Sequence, residues 1–221
     1  MNLPAGLLSD TWNIAGWVLL VIVASIWLRS TPWRSLAAEG RLSVWLGAIV
    51  AATVLWSMQA GIRPGLNLHF LGAMVLVLVF DWQLAFVALL IVLAAVTLNG
   101  SGGWASFGVN GLLLAALPVY VSKRIERWCA GHLPTQIFFY ILANGFVGAG
   151  LANLSAGTAG LLTLAVAGVY SPTFLIEDYF VYFMLLSLAE GWLCGMVVTS
   201  LVVFRPQWVA TFDTERYLGK S

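Results

Sequence analysis

A chain of 221 residues that is 61% hydrophobic and 9% charged, with a net charge of +1, has too little polar surface to face water on every side. A soluble domain usually carries about 25% charged residues, so the composition excludes a soluble enzyme, and the near-zero net charge implies no nucleic-acid partner. With a mean hydropathy of +0.95 and roughly 20 apolar residues needed per bilayer crossing, the chain has room for about seven crossings and no separate soluble domain.

The first predicted span is 13–28. Residues 1–12 contain Asp10 and no Lys or Arg, so the basic start of a cleavable signal peptide is missing. A basic loop follows, with Arg29, Arg34 and Arg41 against Glu39, and then a second span at 43–60. A short loop carrying Arg63, Pro64 and Gly65 leads to a third span at 66–80, a tight turn at Asp81 and Trp82, and a fourth span at 83–98. After the glycine-rich loop Asn99-Gly-Ser-Gly-Gly103 comes a fifth span, 105–122, ending in Lys123, Arg124 and Arg127 with Glu126 among them. Residues 135–170 are apolar almost throughout, and the last span, 180–204, precedes a polar tail with Arg205, Arg216 and Lys220. These runs are continuous rather than alternating, so every span reads as a helix. The fold class is all-α: one polytopic membrane helical bundle over 1–221, set in the cell inner (plasma) membrane.

Positive residues collect on the cytoplasmic side, which places the loops 29–42 and 123–134 inside and the N-terminus outside. The stretch 135–170 then decides the other end. Two crossings would leave Glu177 and Asp178 inside and the basic tail outside, so one crossing is preferred, with the C-terminus cytoplasmic. At about 1.5 Å per residue the stretch is too long for one straight span. A break is expected near Gly150 to Gly157, where Asn153, Ser155 and Thr158 cluster. Small residues at four-residue spacing (Gly47 and Ala51, Ala48 and Ala52, Gly145 and Ala149, Gly148 and Ala152) let helices approach closely, inside the bundle or against a partner membrane protein.

Ionisable groups within the bilayer are costly and are functional candidates by default. Two stand out: His69 near the outer end of the third span, and Glu190 near the middle of the last. Asn99, Asn110 and Asn144 lie at or near span ends, Asp81 sits in a turn where it faces water or caps the next helix, and His132 falls in a cytoplasmic loop. One imidazole alone makes no metal site, and Glu190 reads equally as a hydrogen-bonding link between helices. Cys129 and Cys194 have neither metal-type spacing nor a disulfide framework. No enzyme constellation is present: Ser101 in Gly-Ser-Gly-Gly does not fit an intramembrane serine protease, and P-loop, HExxH and CxxC motifs are all missing.

Four local strings share the order and spacing of one family. The opening Met1-Asn-Leu-Pro-Ala-Gly-Leu-Leu-Ser9 resembles M-H-I-P-D-G-F-L-S. Pro64-Gly65-Leu-Asn-Leu-His69-Phe-Leu-Gly72-Ala73 is similar to P-G-G-T-S-G-H-L-L-G-G, one residue shorter. Asn99 to Gly103 with Phe107-Gly-Val-Asn110 resembles G-G-L-x-x-L-G-A-N, and Ala189-Glu190-Gly191 resembles the E-A or E-G of the last helix. These strings belong to the cobalt/nickel permeases of energy-coupling-factor (ECF) transporters, the CbiM and NikM type, and the resemblance covers most of the chain.

The resemblance implies a substrate-capturing membrane component whose N-terminus folds back into the bundle. The α-amino group of Met1, the backbone nitrogen of Asn2 and the imidazole of His69 would hold the metal, with Asn110, Asn99 and Glu190 in support. The transported ion would be Ni²⁺ or Co²⁺, with no permanently bound cofactor. The partners would be the lipid bilayer, a second transmembrane permease subunit and cytoplasmic ATPase subunits, which alone would hydrolyse ATP. Two positions depart from the pattern: Asn2 replaces a ligating histidine and Ala5 replaces an aspartate. The alternative is therefore a CbiM-like membrane protein that has lost the metal site and acts on another substrate or as a scaffold. Because His69 must be neutral to ligate, metal affinity is expected to fall as pH drops below about 6.5, the ordinary histidine value. A titration that stays flat down to about pH 5.5 contradicts His69 as a ligand.

Overall fold

The computed structural model describes residues 2–38 and 40–218. Among them seven helical segments form one bundle: α1 (Asp10–Arg29), α2 (Arg41–Ser57), α3 (Ala73–Phe80), α4 (Trp82–Leu98), α5 (107–132), α6 (Ile137–Val166) and α7 (Pro172–Phe204). A short helix α8 (Thr214–Leu218) follows. Between α2 and α3 lies an antiparallel hairpin of β1 (Ala60–Arg63) and β2 (Leu66–Leu68). By length and composition α1, α6 and α7 are able to cross a membrane.

The helices are built with their polar and small residues inward. α1 buries only Asn13, Gly16 and Leu20 while Ile14, Val18, Val21, Ile22 and Ile26 are exposed. α7 buries Ser187, Glu190, Gly191 and Gly195 and exposes Leu185, Leu188 and Trp192. In water this would leave a continuous apolar surface of the kind soluble monomers avoid. In lipid it is the expected arrangement, because small inward residues let backbones approach. α3 and α4 fill the centre, and all of α3 except Val75 is buried.

Close approach is enforced at α1 and α5. A Cβ on Gly108 would overlap the backbone of Gly16 and Trp17. Gly108→Ala is expected to spread these helices and lower stability by about 1–3 kcal/mol, read as a drop in melting temperature in detergent. The pairs Gly145/Ala149 and Gly148/Ala152 do the same between α6 and its neighbours: a Cβ on Gly145 would lie 3.2 Å from Val198 of α7, and one on Gly148 would lie 2.9 Å from Met74 of α3. Gly47 differs, with nothing within 4 Å of its Cβ position.

The helices depart from the sequence reading in four places. α6 runs unbroken from Ile137 to Val166, so the expected break near 150–157 does not occur. The glycines there serve packing, with the Cβ position of Gly150 lying 3.0 Å from the Ser187 carbonyl, and Ser155 Oγ donates back to its own helix at Ala152 O, 2.7 Å. The expected loop 123–134 is helical to His132; a π-helical turn at Leu112–Ala116 just before Pro118 absorbs the missing proline N–H. The expected loop 171–179 is mostly the first turns of α7, opened by Ser171, whose Oγ accepts from Phe174 N, and by Pro172. In the expected third span only Ala73–Phe80 is helical, and the irregular backbone lies at 69–72 instead.

The tail after α7 folds back under α3. Val209 and Phe212 are buried. Ala210 N donates to Val79 O (3.3 Å) and Thr211 N to Leu78 O (3.2 Å), and Arg41 Nη2 reaches Val79 O at 3.4 Å. The last carbonyls of a short buried helix are thereby satisfied. Asp81, at the α3–α4 junction, adopts φ +70° and makes no side-chain cap bond to α4. Burial raises its carboxyl above the usual carboxylate range, and the Arg41 charge pulls it partly back.

Candidate metal centre

The N-terminal segment is threaded into the bundle and held there by two side chains, Asn110 and Ser106. Asn110 Oδ1 accepts from Leu3 N at 2.9 Å, and Asn110 Nδ2 donates to Leu3 O at 3.0 Å. A carboxamide matches a peptide unit in both directions, so it substitutes for a neighbouring strand. Ser106 Oγ adds a bond to Pro4 O at 3.1 Å, and Asn2 and Leu3 are buried. The glycine-rich loop makes this possible: a Cβ on Gly103 would overlap the Ala5 backbone nitrogen. From the other side Gly65, at φ +77°, lies against Leu3 and Leu7.

His69 stands in the turn 69–72 between β2 and α3, and this turn is anchored by α7. Glu190, 1% exposed, accepts from Leu71 N at 2.9 Å and from Gly72 N at 2.7 Å. Asn153 Nδ2 (3.1 Å) and Cys194 Sγ (3.4 Å) complete four donors on its two oxygens. Trp56 Nε1 donates to Leu71 O at 3.0 Å and Tyr179 OH to Asn67 O at 3.2 Å. Non-helical backbone within an apolar bundle needs such partners for each polar group. His69 itself is 3% exposed, its ring 4.9 Å from that of Trp56 and its Nδ1 3.1 Å from Phe70 O. It borders an open cleft of about 730 Å³ between the end of α2, the hairpin and α7.

Asn2 is buried, yet neither Oδ1 nor Nδ2 has a hydrogen-bond partner among the described residues. An orphaned buried amide costs about 1–3 kcal/mol per group. Met1 lies outside the described residues. Among the described residues no three His, Cys, Asp or Glu side chains gather at one place, so any metal held here must use backbone or amide donors beside His69. Asn99 is exposed at the end of α4, separate from the buried set. Both cysteines are free thiols.

The profile described as cobalt uptake substrate-specific transmembrane region, CbiM, matches residues 2–208. The chain belongs to the CbiM family. Two crystal structures share its fold. One, described as a truncated transition metal transporter, is 20% identical with a TM-score of 0.77, covering 92% of this chain and 99% of that one. The other, described as a transition metal transporter, is 19% identical with a TM-score of 0.72, covering 91% and 92%. No curated protein matches the chain. As a CbiM-family protein it is a membrane component of metal uptake. Gly103, Ser106, Trp56 and Asn153 hold the N-terminal segment and the 69–72 turn, a role the sequence did not assign to them, although Gly103 stood out in the glycine-rich loop and Asn153 in the expected break. The glycine-rich loop carried a signal as one of the family strings, without showing that it seats the N-terminal backbone.

Proposed function

We propose that this CbiM-family chain is the substrate-capture subunit of an ECF-type transporter that takes up Ni²⁺ or Co²⁺. The observation that carries the proposal is the docked N-terminal segment: Asn110 uses both ends of its amide on Leu3, and Asn2 beside it is buried. Met1 would supply its amine, Asn2 its backbone nitrogen and His69 its imidazole. Nitrogen-rich tetragonal sets of this kind suit Ni(II) and Cu(II), and imidazole suits both nickel and other first-row ions. The chain would cross the membrane seven times, with the N-terminus outside and the C-terminus cytoplasmic, in the plasma membrane. A second permease and cytoplasmic ATPases would supply the energy. Glu190 would act by holding the turn on which His69 stands.

Asn2 favours a second reading, in which the fold has kept its scaffold while the metal site has been lost. The two are separated by titrating Ni²⁺, Co²⁺, Cu²⁺ and Zn²⁺ calorimetrically into detergent-purified protein with a native N-terminus, beside His69→Ala. One-to-one binding that disappears in the variant supports capture and names the ion. No binding of any of the four assigns the chain to the second reading.

A further inference from the structure

We propose that the bundle carries a built site for one anionic phospholipid, in a slot between α2 and α7 with its head at Arg41. The slot is a cavity of about 720 Å³ walled by Gly47, Ala48 and Ala51 of α2 and Val197 and Leu201 of α7, and floored by α3. It exists because α2 turns small residues toward α7; Gly47 in particular meets open space. Along α2 it runs from Ser43 to Leu55, roughly 18 Å at about 1.5 Å per residue. That is close to the depth of one leaflet, about half of a 30 Å hydrocarbon core, so it fits one acyl chain entering from one side.

The slot is apolar along its length, and beside one end lies a second cavity of about 260 Å³ lined by Gly40, Arg41 and Gln207. Val44, Phe80 and Trp208 border both cavities, so the two are neighbours. Arg41 uses Nη2 on the Val79 carbonyl, and its buried Nε has no hydrogen-bond partner among the described residues. The Arg41 charge acts on Asp81 and favours its ionised form against the effect of burial, while Asp81 itself lines a separate polar pocket with Lys123 and Glu126. Trp208 stands at the mouth, with the Arg205 guanidinium 5.8 Å from its ring centroid; tryptophan and basic residues are the usual neighbours of lipid head groups. A cation with an unsatisfied N–H at the end of a leaflet-long apolar slot is complementary to a phosphate bearing an acyl chain. Phosphatidylcholine offers the same phosphate but brings a quaternary ammonium up to Arg41 and Arg205, so a lipid of net negative charge is the better match.

The test is native mass spectrometry of the detergent-purified protein after addition of phosphatidylglycerol or phosphatidylcholine of equal chain length. One phosphatidylglycerol is expected to be retained, preferred about fivefold or more over phosphatidylcholine. Gly47→Leu, whose side chain grows into the open slot, should remove the bound lipid without lowering the melting temperature. Arg41→Gln should keep acyl binding and lose the head-group preference. Equal retention of the two lipids, or full retention by Gly47→Leu, overturns the proposal. So does a slot that takes up neither lipid and is instead found filled by a helix of a partner protein.

Discussion

Glu190→Ala is expected to be the most damaging single substitution in the chain. It removes the acceptor for Leu71 N, Gly72 N and Asn153 Nδ2 together, at a place where water does not replace it. At about 1–3 kcal/mol for each stranded donor, the loss is about 3 kcal/mol or more, a large share of the 5–15 kcal/mol by which proteins are typically stable. The damage falls on the 69–72 turn, so His69 should lose its fixed position even where the bundle survives. Glu190→Gln keeps one carbonyl acceptor and sets an amide N–H against a backbone N–H, so it should land between the wild type and the alanine variant. Thermal unfolding in detergent measures the series. An alanine variant that melts with the wild type would refute the anchoring role.

Asn110→Ala comes second, and its effect is local. Leu3 N and Leu3 O lose their partners inside the bundle. The penalty of about 2–4 kcal/mol is relieved most cheaply by releasing the N-terminal segment rather than by unfolding α1 to α7. Hydrogen exchange should therefore accelerate in residues 2–8 and stay unchanged in α3 and α4. If those residues carry the metal nitrogens, affinity falls on the order of a hundredfold or more, at 1.4 kcal/mol per decade. Gly103→Ala should reproduce this by a steric route, because its Cβ occupies the position of the Ala5 backbone nitrogen. A normal exchange pattern in both variants would mean that Asn110 and Gly103 do not hold the segment.

What the sequence made legible was decided by hydrophobicity and by punctuation. The expected span 83–98 almost coincides with α4 (Trp82–Leu98), since it is apolar throughout and bounded by Asp81 and Asn99. The positions of His69, Asn110 and Glu190 were readable because a polar group inside an apolar run is conspicuous. Their partners were not, because bonds such as Leu71 N to Glu190 join residues 119 apart. Helix ends misled for a related reason. Lys123 to Arg127 read as a loop, although charged residues are good helix formers and continue α5 beyond its apolar part. The glycines of 150–157 read as a break, yet lipid-embedded helices use glycine for contact. The resemblance placed Asn99 in support of the site, whereas its side chain is exposed at the end of α4. The orphaned amide of Asn2 became visible only once its burial was known.

The central claim is that the docked N-terminal segment and His69 together hold one metal ion. X-ray absorption at the metal edge of the Ni²⁺- or Co²⁺-loaded protein tests it most directly. The account predicts a first shell of nitrogen and oxygen only, with the outer-shell scattering of a single imidazole that vanishes in His69→Ala. A shell containing sulfur, an imidazole signal that persists in His69→Ala, or a protein that retains no metal to measure would contradict it.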